Sequence, residues 1–316
     1  MGLSPLTTAG NRIIRAATSE PILLRGVNRS GMEYSEPDED GFASAAGISR
    51  HEIRYIVQRW GANIIRVPFN QDWVLNGRGR FSGEDYCKDL DRIITWAEDY
   101  GAYTLLDLQW LDADKPFGPN RQFVPPLPNP QTAEMWRLLA RRYRERPSVL
   151  FDIFNEPHDR MPDDPYPLWR PDGTQYPANH YRVSTAEWHP WARLLINVIR
   201  EEYPDALIWV SGTNWGYDLR GFPLDVRDLV YSTHIYSNKG SAWDASFGNL
   251  AWSVPVFAGE WGGSESELDW GKRLGQYMAA RNMGWTAWSW ADNPRVVSRY
   301  EPTPFGQIVR AALPGQ

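Results

Sequence analysis

The chain has 316 residues, a formal net charge of −6 and an isoelectric point near 5.5. This length is enough for one large α/β barrel or for two ordinary domains. The acidic balance argues against a nucleic-acid or anionic-membrane partner, because binding phosphates requires clustered lysine and arginine. A single cysteine, Cys87, excludes an internal disulfide and a cysteine-based zinc site.

Hydropathy and aromatic content narrow the class of protein further. No run of about 18 apolar residues is present, so the sequence predicts no segment that spans a bilayer. Residues 1–5 lack the charged and apolar parts of a secretion signal, although a signal removed before residue 1 would leave the same start. The 17 tryptophans and 15 tyrosines provide more aromatic surface than a core of this size requires.

Short apolar runs alternate with amphipathic segments along the whole chain, beginning with a predicted strand at residues 22–28. The first clear helix is predicted for residues 49–61. There Ser49 and Glu52 form a capping box, and apolar residues recur at helical spacing. The predicted strands in chain order are 22–28, 63–69, 102–109, 149–156, 206–212, 229–236, 255–260 and 284–290.

Helices are predicted between these strands, including one that begins at the N-cap Thr185 and a weak one at residues 241–252. Eight strands alternating with helices, without a linker or a low-complexity break, predict one (β/α)₈ TIM barrel domain over residues 1–316. A doubly wound sheet is the alternative. It would require a glycine-rich phosphate loop after an early strand, which the sequence lacks.

Two of the predicted strands end in a glutamate. The apolar run 149–154 stops at Asn155 and Glu156, and the run 254–258 leads to Glu260. In a barrel the carboxyl ends of all strands meet at one mouth, where the chemistry of such folds occurs. The other predicted strand ends place polar and aromatic side chains at the same mouth: Asn28, Arg66, Gln109, Asn214, Trp215, His234, Tyr236 and Trp290.

Two carboxylates that flank a bond are the requirement for glycoside hydrolysis, in which one donates a proton to the leaving oxygen and the other attacks or activates water. The strand ends offer no Ser-His-Asp arrangement and no pair of histidines at metal-binding spacing. The aromatic excess agrees with this chemistry, because tryptophan and tyrosine rings pack flat against the C–H faces of sugars.

Six short motifs occur in order at the predicted strands: Leu24-Arg25-Gly26-Val27-Asn28, Ile65-Arg66-Val67-Pro68, Phe154-Asn155-Glu156-Pro157-His158, His234-Ile235-Tyr236, Gly259-Glu260-Trp261-Gly262 and Trp288-Ser289-Trp290. Together they resemble glycoside hydrolase family 5, the cellulase-like members of a clan of (β/α)₈ glycosidases. The resemblance covers nearly the whole chain. It implies a retaining mechanism without metal or cofactor, with Glu156 as general acid/base and Glu260 as nucleophile.

The same resemblance implies roles for five other residues. Arg66 and Tyr236 would hold the nucleophile ionised and oriented, and His234 would lie beside the acid/base. Asn155 would bind the 2-hydroxyl of the sugar, and Trp290 would form the floor of the subsite for the reacting sugar.

The third strand departs from the family pattern. Family members usually end this strand in Asp-x-His, whereas this chain reads Asp107-Leu108-Gln109. Glutamine can donate a hydrogen bond to a sugar hydroxyl but cannot carry charge. This departure bears on substrate contacts at Gln109 and leaves the two-glutamate chemistry unchanged. Further sugar contacts are predicted from residues at or directly after strand ends: Asn28, Trp110, Trp215 and Trp261.

Two long loops are predicted on the catalytic face. Residues 111–130 are rich in proline and are predicted to form a stiff lid, and residues 158–184 follow Glu156. The sequence leaves open whether these loops give an open cleft, for endo action, or close one end of it, for exo action.

The leading hypothesis is an endo-acting β-1,4-glucanase whose partner is a polysaccharide or oligosaccharide. A second hypothesis keeps the chemistry but changes the substrate to β-mannan, xyloglucan or another β-glycan. A third is a glycan-binding barrel without catalysis, which would be expected to lack one of the two glutamates. We expect a monomer that is secreted or extracytoplasmic and that has no nucleic-acid or membrane partner.

Overall fold

The protein is described here by a computed structural model of residues 2–112, 117–118, 121–122 and 124–314. Its centre is a closed barrel of eight parallel strands, in which each strand pairs with the next along the chain and the last pairs with the first. This confirms the predicted (β/α)₈ barrel and excludes the doubly wound sheet. The barrel strands are β1 (Arg25–Asn28), β2 (Ile64–Asn70), β3 (Tyr103–Trp110), β4 (Val149–Asp152), β5 (Ile208–Ser211), β6 (Leu229–Ile235), β7 (Val256–Trp261) and β8 (Gly284–Ala287).

Helices surround the barrel: α1 (Phe42–Ala45), α2 (Arg50–Arg54), α3 (Gln71–Asn76), α4 (Gly83–Tyr100), α5 (Gln131–Tyr143), α6 (Thr185–Glu202), α7 (Leu268–Ala280) and α8 (Pro304–Ala311). A π-helical turn at Tyr55–Arg59 continues α2. The weak helix predicted at residues 241–252 is instead a π-helical turn, Asp244–Gly248, followed by a 3₁₀ turn, Leu250–Trp252. None of the helices in the described part of the chain is long and apolar enough to cross a bilayer.

Side-chain caps fix where the helices begin. Ser49 accepts a hydrogen bond from the backbone N–H of Glu52 at the start of α2, as the sequence predicts. At α6 the cap is Ser184, one residue before the predicted Thr185, and it forms a capping box with Glu187. The difference is one residue, and it arises because both serine and threonine are favourable caps.

The fourth strand is shorter than predicted, because regular pairing ends at Asp152 and not at Glu156. Hydrogen bonds to the neighbouring strands continue beyond it, from the Ile153 N–H to the Trp209 carbonyl at 3.2 Å and from the Asn155 N–H to the Leu108 carbonyl at 3.1 Å. These bonds hold the irregular segment that carries Glu156 at the carboxyl end of the barrel.

Two apolar layers stabilise the fold. One fills the inside of the barrel near the start of the strands and includes Leu105, Trp209 and Phe257, against which Leu6 and Ile13 of an amino-terminal hairpin pack. The larger layer lies between the strands and the surrounding helices. Since the barrel interior is filled from this end, a ligand has to bind at the opposite, carboxyl-terminal mouth.

The structure describes the two long loops to different extents. Residues 113–116, 119–120 and 123 of the proline-rich loop lie outside the described residues, so its role as a stiff lid stays a prediction. The loop at 158–184 is anchored on α6, where the Trp191 indole N–H donates to the Trp169 carbonyl at 2.7 Å. Leu168 and Val183 of this loop are buried.

Candidate active site

A fully buried arginine organises the centre of the mouth. Arg66 on β2 contacts three carboxylates: Asp107 at 2.9 Å, Asp152 at 3.0 Å and Glu260 at 3.0 Å. Burial alone would lower the pKa of Arg66, but these carboxylates outweigh it and raise the pKa. The guanidinium is therefore a permanent cation that holds the end of Glu260 in one place.

Two of the three carboxyl groups around Arg66 have raised pKa values. Burial raises the pKa of Asp107 well above its usual range and the pKa of Asp152 to about 6, although Arg66 opposes both shifts. One cation cannot offset three buried negative charges, so the cluster retains protons on the two aspartates more readily than exposed carboxyls do. Asp107 and Asp152 serve to fix Arg66.

Glu260 is oriented at both of its carboxylate oxygens. Arg66 donates to Oε1, and the Tyr236 hydroxyl donates to Oε2 at 2.8 Å. Only 6% of the Glu260 side chain is exposed. The Glu260 side chain is therefore fixed in one orientation at the mouth.

Glu156 has a different environment. Its Oε1 lies 2.9 Å from Nδ1 of His234, and 20% of its side chain is exposed. Burial lowers the pKa of His234 to about 3, so the imidazole is neutral at neutral pH. A neutral imidazole facing a carboxyl group can donate to the ionised form or accept from the protonated form, which suits a group that gains and loses a proton.

The two glutamates face each other across the mouth. One ligand atom each of Glu156, His234 and Glu260 lies within 4.8 Å of the others. Among the described residues this is the group that could hold a metal ion. The Arg66 guanidinium already supplies positive charge 3.0 Å from Glu260. It would repel a cation placed there.

An aromatic pair flanks Glu156. The imidazole of His158 stacks on the indole of Trp215, with ring centroids 3.5 Å apart and planes at 11°. His158 Nδ1 donates to the carbonyl oxygen of Glu156 at 2.6 Å, and the Trp215 N–H donates to the Pro157 carbonyl at 3.0 Å. No role is predicted for His158 from the sequence. Its position two residues after the strand-end glutamate was the only signal.

A large cavity opens beside these groups. Its volume is about 1140 Å³, and it extends from Glu156 over the loops after β7 and β8 to the start of α8. The lining includes Trp215, Tyr236, Lys239 and Phe305. Sites for single small molecules measure roughly 300–1,000 Å³. This cavity has room for several linked sugars.

Comparison with known proteins decides the family. The family model described as cellulase, glycosyl hydrolase family 5, matches residues 17–294. This chain belongs to that family. It is a glycoside hydrolase, and the resemblance drawn from its strand-end motifs is confirmed.

Curated relatives and solved structures agree. The chain is 26% identical over 337 residues to an endoglucanase of Paenibacillus polymyxa, covering 89% of this chain and 78% of that protein. It is 23% identical over 288 residues to an endoglucanase of Clostridium saccharobutylicum, covering 87% of this chain but only 55% of that protein. The chain thus spans about half the length of some of these relatives.

A β-glucanase from Saccharophagus degradans has a similar solved structure, with a TM-score of 0.78, 22% identity and coverage of 98% of this chain and 92% of that chain. The same β-glucanase in complex with cellotetraose matches with a TM-score of 0.77, 22% identity and the same coverage. At this identity the likeness establishes the fold alone.

Two residues of this family 5 chain that are predicted to contact sugar have fully buried side chains. Trp261 is fully buried, and its ring packs against Trp285 at 5.2 Å, because its side chain points to the opposite face of β7 from Glu260. Asn28 is also fully buried. Its amide donates to the carbonyls of Gly259 at 2.9 Å and Thr286 at 3.1 Å, so it ties strands together.

Trp290, which is predicted to form the floor of the subsite for the reacting sugar, is almost fully buried. It is only 4% exposed, its indole N–H donates to Glu52 at 3.0 Å, and its ring packs edge-on against Trp60. Trp288, two residues earlier, is half-buried, and its indole N–H donates to the Asn293 carbonyl at 3.2 Å. The partly exposed ring after β8 is therefore that of Trp288.

The end of β3 supplies Gln109 and Trp110, which are both partly exposed. Gln109 Oε1 has no hydrogen-bond partner among the described residues. Trp110 lies with its ring centroid 6.1 Å from that of Tyr34, whose hydroxyl donates to Asp292 at 2.8 Å. This oxygen is itself buried, so the groups at the end of β3 that suit contact with a sugar are the exposed part of Gln109 and the partly exposed ring of Trp110.

Proposed function

We propose that this family 5 hydrolase cleaves internal β-1,4 bonds of glucan chains with retention of configuration, using Glu156 as acid/base and Glu260 as nucleophile. The observation that carries the proposal is the contrast between two carboxyl groups at one mouth. Glu260 is fixed at both oxygens by Arg66 and Tyr236, whereas Glu156 is more exposed and faces a neutral imidazole. These are the surroundings that an attacking group and a proton donor need.

The distance between the carboxyl groups supports retention. Retaining glycosidases hold them about 5–5.5 Å apart, and inverting ones about 6.5–9.5 Å apart to admit a water molecule. Here an oxygen of Glu156 lies within 4.8 Å of one of Glu260. This short approach agrees with the retaining arrangement.

In the first step an oxygen of Glu260 attacks the anomeric carbon. At the same time Glu156 gives its proton to the glycosidic oxygen, which leaves with the bonding electron pair. In the second step Glu156 takes a proton from water, the water oxygen bonds to the anomeric carbon, and Glu260 leaves as a carboxylate. His234 stabilises Glu156 whenever that group is ionised, because its Nδ1 hydrogen can then donate to Oε1.

The side chains around the glutamates would hold the sugar. Asn155 accepts a hydrogen bond from Arg66 at 2.8 Å through Oδ1, which leaves its NH₂ group free to donate to a sugar hydroxyl. Gln109 would add a second polar contact. Trp110, Trp215 and Trp288 are partly exposed rings that would pack against sugar faces.

The substrate class follows from the relatives and from the size of the cavity. Relatives are named endoglucanases, a structural relative was solved with cellotetraose, and the cavity has room for several sugars. A long polysaccharide cannot enter a cell, so we place the enzyme outside the cytoplasm. We also propose that residues 1–316 form one catalytic barrel domain and act as a monomer. β-Mannan or xyloglucan is the second candidate, because Gln109 replaces the histidine usual in the family.

Product analysis on a panel of polysaccharides tests this proposal. With soluble β-1,4-glucan we expect a rapid loss of viscosity, oligosaccharides of several lengths, and the β-anomer as the first product by proton NMR. Release of a single product size from chain ends would contradict endo action, and an initial α-anomer would contradict retention. Faster cleavage of mannan or xyloglucan than of linear glucan would show that the substrate is one of those polysaccharides. It would not affect the proposed roles of Glu156 and Glu260.

A further inference from the structure

A lysine lies on the cavity side of the proposed acid/base. Lys239 ends the short 3₁₀ turn Ser237–Lys239, which follows β6 directly. Its backbone N–H donates to the Tyr236 carbonyl at 3.0 Å, and its Nζ donates to the Asn214 carbonyl at 3.1 Å. Lys239 is half-buried and lines the same cavity as Glu156. The ammonium is thus held at the wall of the active-site cavity and is not a freely moving surface charge.

The anchor of this ammonium is tied to the backbone around Glu156. Asn214 precedes Trp215, and both residues adopt left-handed backbone conformations, with φ of 55° and 60°. The Trp215 N–H donates to the Pro157 carbonyl, directly after Glu156. Trp215 also stacks on His158, which donates to the carbonyl oxygen of Glu156. One turn therefore fixes both the ammonium and the segment that carries the proposed acid/base.

Among the described residues, titratable groups face Glu156 from its own segment, from β6 and from β7. On its own segment His158 is neutral, because burial lowers its pKa to about 4. From β6, His234 is neutral, and burial raises the pKa of Tyr236 well above its usual range. From β7, Glu260 is paired with Arg66. Among the described residues, Lys239 is a cation that interacts with Glu156: burial lowers the pKa of Lys239, and the Glu156 carboxylate opposes part of that shift.

We propose that Lys239 is a positioning residue for proton transfer, whose ammonium stabilises negative charge on Glu156 as the proton passes to the leaving oxygen. The inference rests on the proposed function of Glu156. As the glycosidic bond breaks, Glu156 changes from a neutral acid to a carboxylate, and a fixed cation nearby lowers the energy of that change. The same cation favours the carboxylate that removes a proton from water in the second step.

Three variants separate this role from a structural one. Lys239→Met removes the charge and keeps the length of the side chain, Lys239→Arg restores a cation, and Lys272→Met serves as the matched control. Lys272 lies on α7, where its side chain is 61% exposed. Thermal melting of all three variants establishes that each is folded before kinetics are compared.

The readout is the pH dependence of kcat/KM with aryl β-cellobiosides. We expect Lys239→Met to move the alkaline limb to higher pH by about half a unit, because a half-exposed charge is partly screened by water and salt. At the pH optimum kcat/KM should fall about fivefold for a phenyl leaving group, or about 1 kcal/mol. It should stay unchanged for a dinitrophenyl group, which needs no proton. Lys239→Arg and Lys272→Met should both match the wild type.

An alkaline limb that stays in place in Lys239→Met would overturn the inference. A loss of equal size for both leaving groups would do the same, since it would mark a sugar contact or a structural role. Glu156→Ala, measured alongside, keeps this result separate from the proposed function. If Glu156→Ala loses activity only with the phenyl leaving group, the acid/base assignment stands whatever Lys239 does. If it loses none, the proposed function itself fails.

Discussion

At the scale of single residues, the surroundings of Glu156 depend on two histidines that are buried in the neutral form. His158 and His234 are both neutral because burial lowers the pKa of each, to about 4 and about 3. Neither shift can be read from a sequence, since it depends on how completely the folded chain excludes water from the ring. The strand-end position of His234 was predictable, but its neutral state was not.

His158 makes a testable contribution to acid stability. Its pKa of about 4 in the folded chain is below the ordinary value of 6.5, mainly because of burial and against a smaller opposing effect of its bond to the Glu156 carbonyl. The unfolded chain therefore binds this proton more readily, and the stability present above pH 6.5 is lost as the pH falls towards 4. Between pH 7 and pH 4.5 we expect the stability of His158→Gln to fall by about 2 kcal/mol less than that of the wild type.

Urea unfolding at both pH values measures this difference. Each protein is compared with itself at pH 7, so the stacking on Trp215 that the variant loses at both pH values cancels. An equal loss of stability in both proteins would mean that His158 is not the group that must be charged on acid unfolding. His51→Gln, at an exposed histidine, is the matched control and should behave as the wild type.

Gln109 tests how closely the site follows the rest of its family. We expect Gln109→His to fold normally and to change kcat/KM by less than about tenfold, or about 1.4 kcal/mol, because either side chain can hydrogen-bond a sugar hydroxyl at this position. Gln109→Ala, which removes the hydrogen bond, should lose more. Steady-state kinetics on a soluble glucan measure all three. A folded but inactive Gln109→His enzyme would show that the subsite is built around the amide.

At the scale of secondary structure, alternation along strands decides which aromatic residues are exposed. Glu260 and Trp261 are neighbours on β7, so their side chains point to opposite faces, and Trp261 could have been assigned to the core from the sequence alone. Trp288 and Trp290 share the same parity after β8, so alternation cannot rank them. Only the packing of Trp290 on Trp60 and Glu52 identifies it as the buried one.

The start of α6 gives a prediction about helix capping. The Ser184 hydroxyl oxygen accepts from the Ala186 N–H at 3.2 Å, and the Glu187 carboxylate accepts from the Ser184 N–H at 2.8 Å. Replacing Ser184 with alanine should cost about 1 kcal/mol of stability, whereas Thr185→Ala should cost no more than a few tenths. Urea midpoints compare the two. A larger loss for Thr185→Ala would support the cap predicted from the sequence over the cap in the structure.

At the scale of the whole molecule, the sequence predicts the barrel because eight predicted strands alternate with predicted helices. In the structure these strands pair in chain order around one closed sheet. Once that order is known, residues far apart in the chain, such as Arg66 and Glu260, must meet at the mouth. The sequence could not predict the volume of the cavity or the position of Lys239. Both depend on loops after β6, β7 and β8, whose paths follow no periodic pattern.

The central claim is that Glu156 and Glu260 divide the chemistry as acid/base and nucleophile. Azide rescue of Glu156→Ala and Glu260→Ala on an activated β-cellobioside tests it most directly, with Glu201→Ala on the exposed face of α6 as the control. Each site variant should fold, and each should lose several orders of magnitude in activity on polysaccharide. With azide, we predict a β-glycosyl azide from the Glu156 variant and an α-glycosyl azide from the Glu260 variant. The reverse pattern of anomers, or more than about a tenth of wild-type activity in folded Glu260→Ala, would contradict the account.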